Sequence, residues 1–110
     1  MKKSWRISAR NIQMPKQIIW SPLSKKDFVS ILDYLQKNWN NKVVQDFIEI
    51  AHGSVVQISN NPKQFPLINK NIRKCVLTKH NTLYYRDSKK LIDILRIFDN
   101  RQDPKKLEFN

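Results

Sequence analysis

The chain has 110 residues, 40% of them apolar, with 21 Lys and Arg against 9 Asp and Glu and a formal charge of +12. That length and apolar content exclude wholesale disorder and build one domain, while a lone cysteine and two histidines exclude an intrachain disulfide and any ligand cluster for a metal. No apolar run reaches the roughly 18 residues of a membrane span, and Met-Lys-Lys opens no secretory signal, so a cytoplasmic domain that meets a polyanion or an acidic protein is expected.

Residues 1–16 show no clean period and are strongly basic. They read as a basic N-terminal arm or an overlong gene start, with the domain proper over 17–107 and a short tail over 108–110. Gln17 to Ser21 is a short apolar strand closed by Ser-Pro. Ser21-Pro22 or Ser24 then opens a helix, since proline suits a first turn and Ser24 with Asp27 imitates a capping box. Phe28, Ile31, Leu32, Leu35 and Trp39 recur at helical spacing and form one stripe. Asn-Trp-Asn-Asn-Lys breaks the pattern. A second helix presents Val44, Phe47, Ile48, Ala51, Val55 and Ile58 on one face and stops at Asn60 to Pro62.

Three β-rich runs follow, IRKCVLT, TLYYRD and LIDILRIF, joined by short polar turns. Connections so brief make the runs antiparallel neighbours. The expected class is α+β: an N-terminal strand, a helical hairpin, then a three-stranded antiparallel meander, with the helices packed on one face of the sheet. Alternation places Arg73, Cys75 and Leu77 opposite Lys74, Val76 and Thr78, and Leu83 and Tyr85 opposite Thr82, Tyr84 and Arg86. In the last run it places Ile92, Ile94, Arg96 and Phe98 opposite Leu91, Asp93, Leu95 and Ile97. One of the two adjacent tyrosines must be core, because neighbours on a strand point oppositely. The face away from the helices is expected to be cationic, with arginine and lysine for phosphates and a tyrosine ring for stacking a base, worth ~1–3 kcal/mol per base.

The order of these elements resembles the RelE/ParE superfamily of bacterial type II toxins. The matching pieces are WSPLSKKDFVSILDYL, the Phe-Pro before the sheet, the Ile72-Arg73 pair, LYYR and ILRIFDNRQDP, over about residues 17–107. The resemblance implies a toxin acting in plasmid stabilisation or growth arrest and neutralised by a cognate acidic antitoxin. Members of the superfamily differ in target: RelE-like ones cut mRNA on the ribosome without a metal, and ParE-like ones poison DNA gyrase. No cofactor is implied.

On the nuclease reading, Arg101 matches the arginine that RelE-like nucleases carry beyond the last strand. Arg73 would clamp phosphate and His80 would act as acid or base. Leu107 and Phe109, however, stand where those nucleases place a tyrosine, and neither moves a proton. On the gyrase reading, Tyr84-Tyr85-Arg86 resembles an aromatic-Tyr-Arg stretch of ParE-like toxins, and a protein surface suffices. Lys74, Lys79, Tyr85, Arg86 and Arg96 are the expected contacts with the target, whether nucleic acid or protein. The balance leans to gyrase. A non-toxic nucleic-acid-binding module on the same fold is the remaining reading. His80 in its exposed turn, His52 on the second helix and Cys75 in mid-strand each also have plain structural roles.

Overall fold

The computed structural model describes residues 15–109. Strand β1 (Gln17–Trp20) leads into helix α1 (Pro22–Asn38), helix α2 (Asn41–Asn60), and strands β2 (Ile72–Thr78), β3 (Asn81–Asp87) and β4 (Leu91–Asp99). This is the expected α+β order. The basic-arm assignment lies largely outside the described residues. Lys16 is described and is anchored: it exchanges hydrogen bonds with Ser59, and its Nζ reaches Asp87 at 2.6 Å.

Local chemistry sets the helix ends. Ser21 caps α1, its hydroxyl accepting from Ser24 N at 3.0 Å while donating to Leu95 O on β4. Proline at the first helical position lacks a donor that would have been unpaired there anyway. Asn40 caps α2 by accepting from Val43 N. Beyond α2, Pro62–Gln64 form a 3-10 turn, and the chain then runs along the outer edge of β2. There Ile68 N donates to Ile72 O and Lys74 N donates to Pro66 O.

The sheet order is β1-β4-β3-β2, with β2, β3 and β4 an antiparallel meander and β1 added parallel to β4. One β face carries the core: Cys75, Leu83, Tyr85, Ile92, Ile94 and Ile97 pack against Ile58, with Phe28, Ile31 and Val55 from the helices closing over them. Burying each such aliphatic side chain stabilises by roughly 1.5–3 kcal/mol. The α2 stripe is as expected, with Phe47, Ala51 and Ile58 buried. The α1 stripe is only half-covered, and Trp39 at its end stands 65% exposed, which corrects its assignment to the packed face.

Strict alternation along β4 fails. Tyr84 pairs with Arg96 but Tyr85 pairs with Ile94, so Leu95 is an extra residue that shifts the phase. Ile92 and Ile94 therefore face the helices together with Ile97. Arg96 and Phe98 fall on the other side, in register with Tyr84 and Thr82.

Candidate functional site

Directly opposed residues on neighbouring strands share a face of the sheet. Tyr84, at the middle of β3, lies between Lys74 on β2 and Arg96 on β4, so an aromatic ring sits in a row with two cations on the side away from the helices. Arg86 follows two residues along the same strand and the same face. Its Nε is buried with no acceptor among the described residues, a donor left unused on this side.

Arg96 is held rather than free. Its Nε and Nη2 donate to the two carboxylate oxygens of Asp27 on α1 at 2.8 and 3.0 Å, and Ile97 N donates to the same carboxylate at 3.0 Å. The Asp27 hydrogen bonds hold the guanidinium pKa above its ordinary value. The remaining Nη1 donates to the backbone carbonyl of Glu108 at 2.6 Å, and the Phe109 ring meets Tyr84 edge-on with centroids 5.5 Å apart. Glu108 and Phe109 thus lie on the sheet face, and burial pushes the Tyr84 hydroxyl pKa up.

A second feature adjoins the first, sharing Asp27 and Arg96 with it. A groove of about 710 Å³ runs between the helices and the β4 end, lined by Tyr34, Trp39, Ile50, His80, Arg101 and others. Arg101 stands at its mouth, with Nε and Nη2 donating to Asp99 at 3.0 and 2.9 Å and its guanidinium carbon 6.0 Å from the centre of the Tyr34 ring. Hydrogen bonds from Arg101, with His80 nearby, hold the Asp99 carboxyl below the usual carboxylate range. The β2–β3 turn carries Lys79 and His80 to the same end, where Asn100 bonds both of their backbone carbonyls.

The arginines named from the sequence do not converge. Arg86 sits at one end of β3 and Asn81, opposite Asp99, at the other, ~16 Å away at ~3.3 Å per residue. Arg73 lies on the helix side of β2, where its Nη1 donates to Phe65 O at 2.6 Å, so it braces the edge loop. Tyr85, named as a target contact, is instead fully buried, with its hydroxyl donating to Pro62 O. Tyr84 is the tyrosine on the open side. Lys74 and Lys79 are exposed.

Asp27, Tyr34 and Phe109 were missed as site residues. Asp27 read as a helix cap, and nothing local points to a partner 69 residues away. Among the described residues no group of three or more His, Cys, Asp or Glu is arranged to hold a metal. No described helix is long and apolar enough to cross a membrane.

Comparison with known proteins adds a family. Residues 18–104 match the family described as the ParE toxin of the type II toxin-antitoxin system, parDE. No curated protein sequence matches. Among solved structures, the chromosomal ParDE toxin–antitoxin system of P. aeruginosa aligns over 76% of this chain and 95% of that one, with TM-score 0.66 and 18% identity. The YoeB dimer of Staphylococcus aureus aligns over 76% and 94%, with TM-score 0.54 and 14% identity. The E. coli DinJ-YafQ toxin-antitoxin complex aligns over 80% and 96%, with TM-score 0.52 and 18% identity. At such identities the structures share the fold.

Proposed function

The chain belongs to the ParE toxin family of type II toxin–antitoxin systems, and on that premise we propose that it arrests growth by binding DNA gyrase and is neutralised by an acidic antitoxin. The observation that carries the choice of target is the state of Arg101. Metal-independent RNA cleavage needs a cation free to meet the phosphate, with a base and an acid beside it. Here two guanidinium nitrogens are taken by Asp99 and the carbon lies over Tyr34. The tyrosine of the nuclease set is replaced by Leu107 and Phe109. A protein-binding mode needs none of these groups.

The antitoxin, on this reading, lays an apolar face into the groove where Tyr34, Trp39 and Ile50 are exposed, with its acidic residues toward Lys79 and Arg101. A second reading, ribosome-dependent RNA cleavage, draws on Arg101, His80 and Asp99 lining one groove.

The deciding experiment is induction of the toxin without antitoxin, with a supercoiling assay on the purified protein. Gyrase inhibition, filamentous cells and intact messages are expected, with Arg101→Ala retaining most of the effect. Cuts within translated codons by primer extension, abolished by Arg101→Ala, would replace this reading with the nuclease.

A further inference from the structure

The groove is close to electrically balanced. Among the charged side chains that line it, Asp27, Asp46 and Asp99 stand against Lys79, Arg96 and Arg101. The excess of a chain at +12 therefore lies elsewhere. Part of it gathers at the opposite end of the sheet, ~20 Å away along β3 from Asn81 to Asp87 at ~3.3 Å per residue.

Two tight turns shape that end. The segment along the outer edge of β2 turns into the strand at Asn69-Lys70-Asn71, with Ile68 N donating to Ile72 O and the Asn69 side chain accepting from Asn71 N and Ile72 N. The β3–β4 connection turns at Ser88-Lys89-Lys90, where Ser88 donates to Leu91 O through both its N–H and its hydroxyl. Ile72 pairs with Arg86 and Asp87 with Ile92, so the two turns share one end of the sheet. Lys70, Lys89 and Lys90 are exposed, as is Lys63, whose carbonyl accepts from Arg73 on β2. Among the described residues none of these four lysines forms an ion pair. The nearby carboxylates have other neighbours: Asp87 holds Lys16, and Asp93 stands opposite Arg86.

We propose that this lysine pole, Lys63, Lys70, Lys89 and Lys90, binds the phosphate backbone of duplex DNA without reading its sequence. Lysine turns supply point charges for phosphates, which position a protein but carry no base information. The turns lie ~10 Å apart at about 4.8 Å per strand, on the order of the ~12 Å width of a duplex groove, so they can meet the phosphate rows on either side of it. Neither turn carries an aromatic ring on which a single strand would stack, and both tips are polar, with nothing to enter a bilayer. Exposed Leu67 and Ile68 lie behind the first turn, beside β2. The charge layout is independent of the toxin's target, while the choice of DNA over an RNA duplex rests on the gyrase reading. A chain held in this way searches along the polymer for an enzyme working on it, with its groove left open.

The test measures anisotropy of a labelled ~20-base-pair DNA duplex against salt, because each phosphate contact adds about 0.9 to the slope of log affinity on log salt. The full chain is compared with a Lys70→Ala/Lys89→Ala/Lys90→Ala variant and with a Lys26→Ala/Lys37→Ala/Lys42→Ala variant that loses equal charge elsewhere. All six side chains are exposed, so both variants keep the fold. The pole variant should lose about 2.7 from the slope, so that wild-type affinity falls about 40-fold further than its own between 50 and 200 mM NaCl. The second variant should lose less than about 0.9. Residues 1–14 are common to all three chains and cancel in the comparison. No duplex binding at 50 mM, or equal losses in the two variants, overturns the proposal. Tighter binding of an RNA duplex of the same length overturns the assignment to DNA, as does binding to phosphatidylglycerol vesicles that the pole variant loses while its duplex affinity is unchanged. Gyrase inhibition without duplex binding counts against the pole alone, and duplex binding without gyrase inhibition counts against the target reading alone.

Discussion

Asp27 holds three donors at once, two from Arg96 and the backbone N–H of Ile97, and both members of the ion pair are largely covered. Replacing it with alanine leaves a guanidinium and a strand amide without acceptors, so Asp27→Ala is expected to destabilise by about 2–4 kcal/mol in urea unfolding. Asp27→Asn, which keeps one acceptor, should cost less. Asp99 supplies a pH signature. Its carboxyl is held low in the folded protein by Arg101 hydrogen bonds, so it contributes stability above the ordinary carboxylate pKa, ~3.9, and loses it as pH falls through the lower folded value. Arg101→Ala removes that contribution. The melting-temperature gap between wild type and Arg101→Ala should therefore be present at pH 6 and close on acidification below about 4. Neither carboxylate was legible in the sequence. Asp27 has its partner on the last strand, and no sequence pattern singles out Asp99.

At the scale of elements, the sequence reading succeeds where a period or a cap carries it. The two helices follow from their stripes and stop signals, and the meander follows from turns too short for any crossover. The β4 bulge was invisible because a single extra residue, Leu95, leaves the run equally apolar while moving Ile97 to the core and Arg96 off it. The choice between Tyr84 and Tyr85 depends on register with the helices, which composition does not encode. Ser21 shows how tightly one junction is specified: its hydroxyl caps α1 and also donates to Leu95 O, while buried Ser24 donates back to Ser21 O. Ser21→Ala is expected to lower stability by about 1–2 kcal/mol, read as a fall of several degrees in melting temperature. Tyr85→Phe leaves the Pro62 carbonyl unpaired in a buried site, and a loss of about 1–2 kcal/mol is expected by the same measurement.

At the scale of the whole molecule, the two outward-facing features of the candidate site adjoin. The groove with Trp39, Tyr34 and Arg101 is also lined by Arg96, which ends the Lys74–Tyr84–Arg96 row on the sheet face. The sequence announced a basic domain with a cationic sheet, and the charge is there, but it is distributed over both features and partly neutralised by internal carboxylates. Trp39 is exposed, so Trp39→Ala should change stability by no more than about 0.5 kcal/mol, while antitoxin affinity falls by roughly tenfold or more in titration calorimetry. A formal +12 also predicts that capture of an acidic partner slows as salt rises from 50 to 500 mM in stopped-flow mixing, whereas loss of the Trp39 contact should act mainly on dissociation.

The parallel seam between β1 and β4 has a temporal corollary. Gln17 finds its mate at Leu91, and among the described residues no other strand offers β1 a ladder. Synthesis runs from the amino end, so this first strand waits, unpaired, while both helices and the hairpin ahead of β4 are made. Closing that seam joins segments 74 residues apart in the chain. The first described strand is therefore among the last to settle, and a nascent chain interrupted before β4 lacks the partner that its β1 needs.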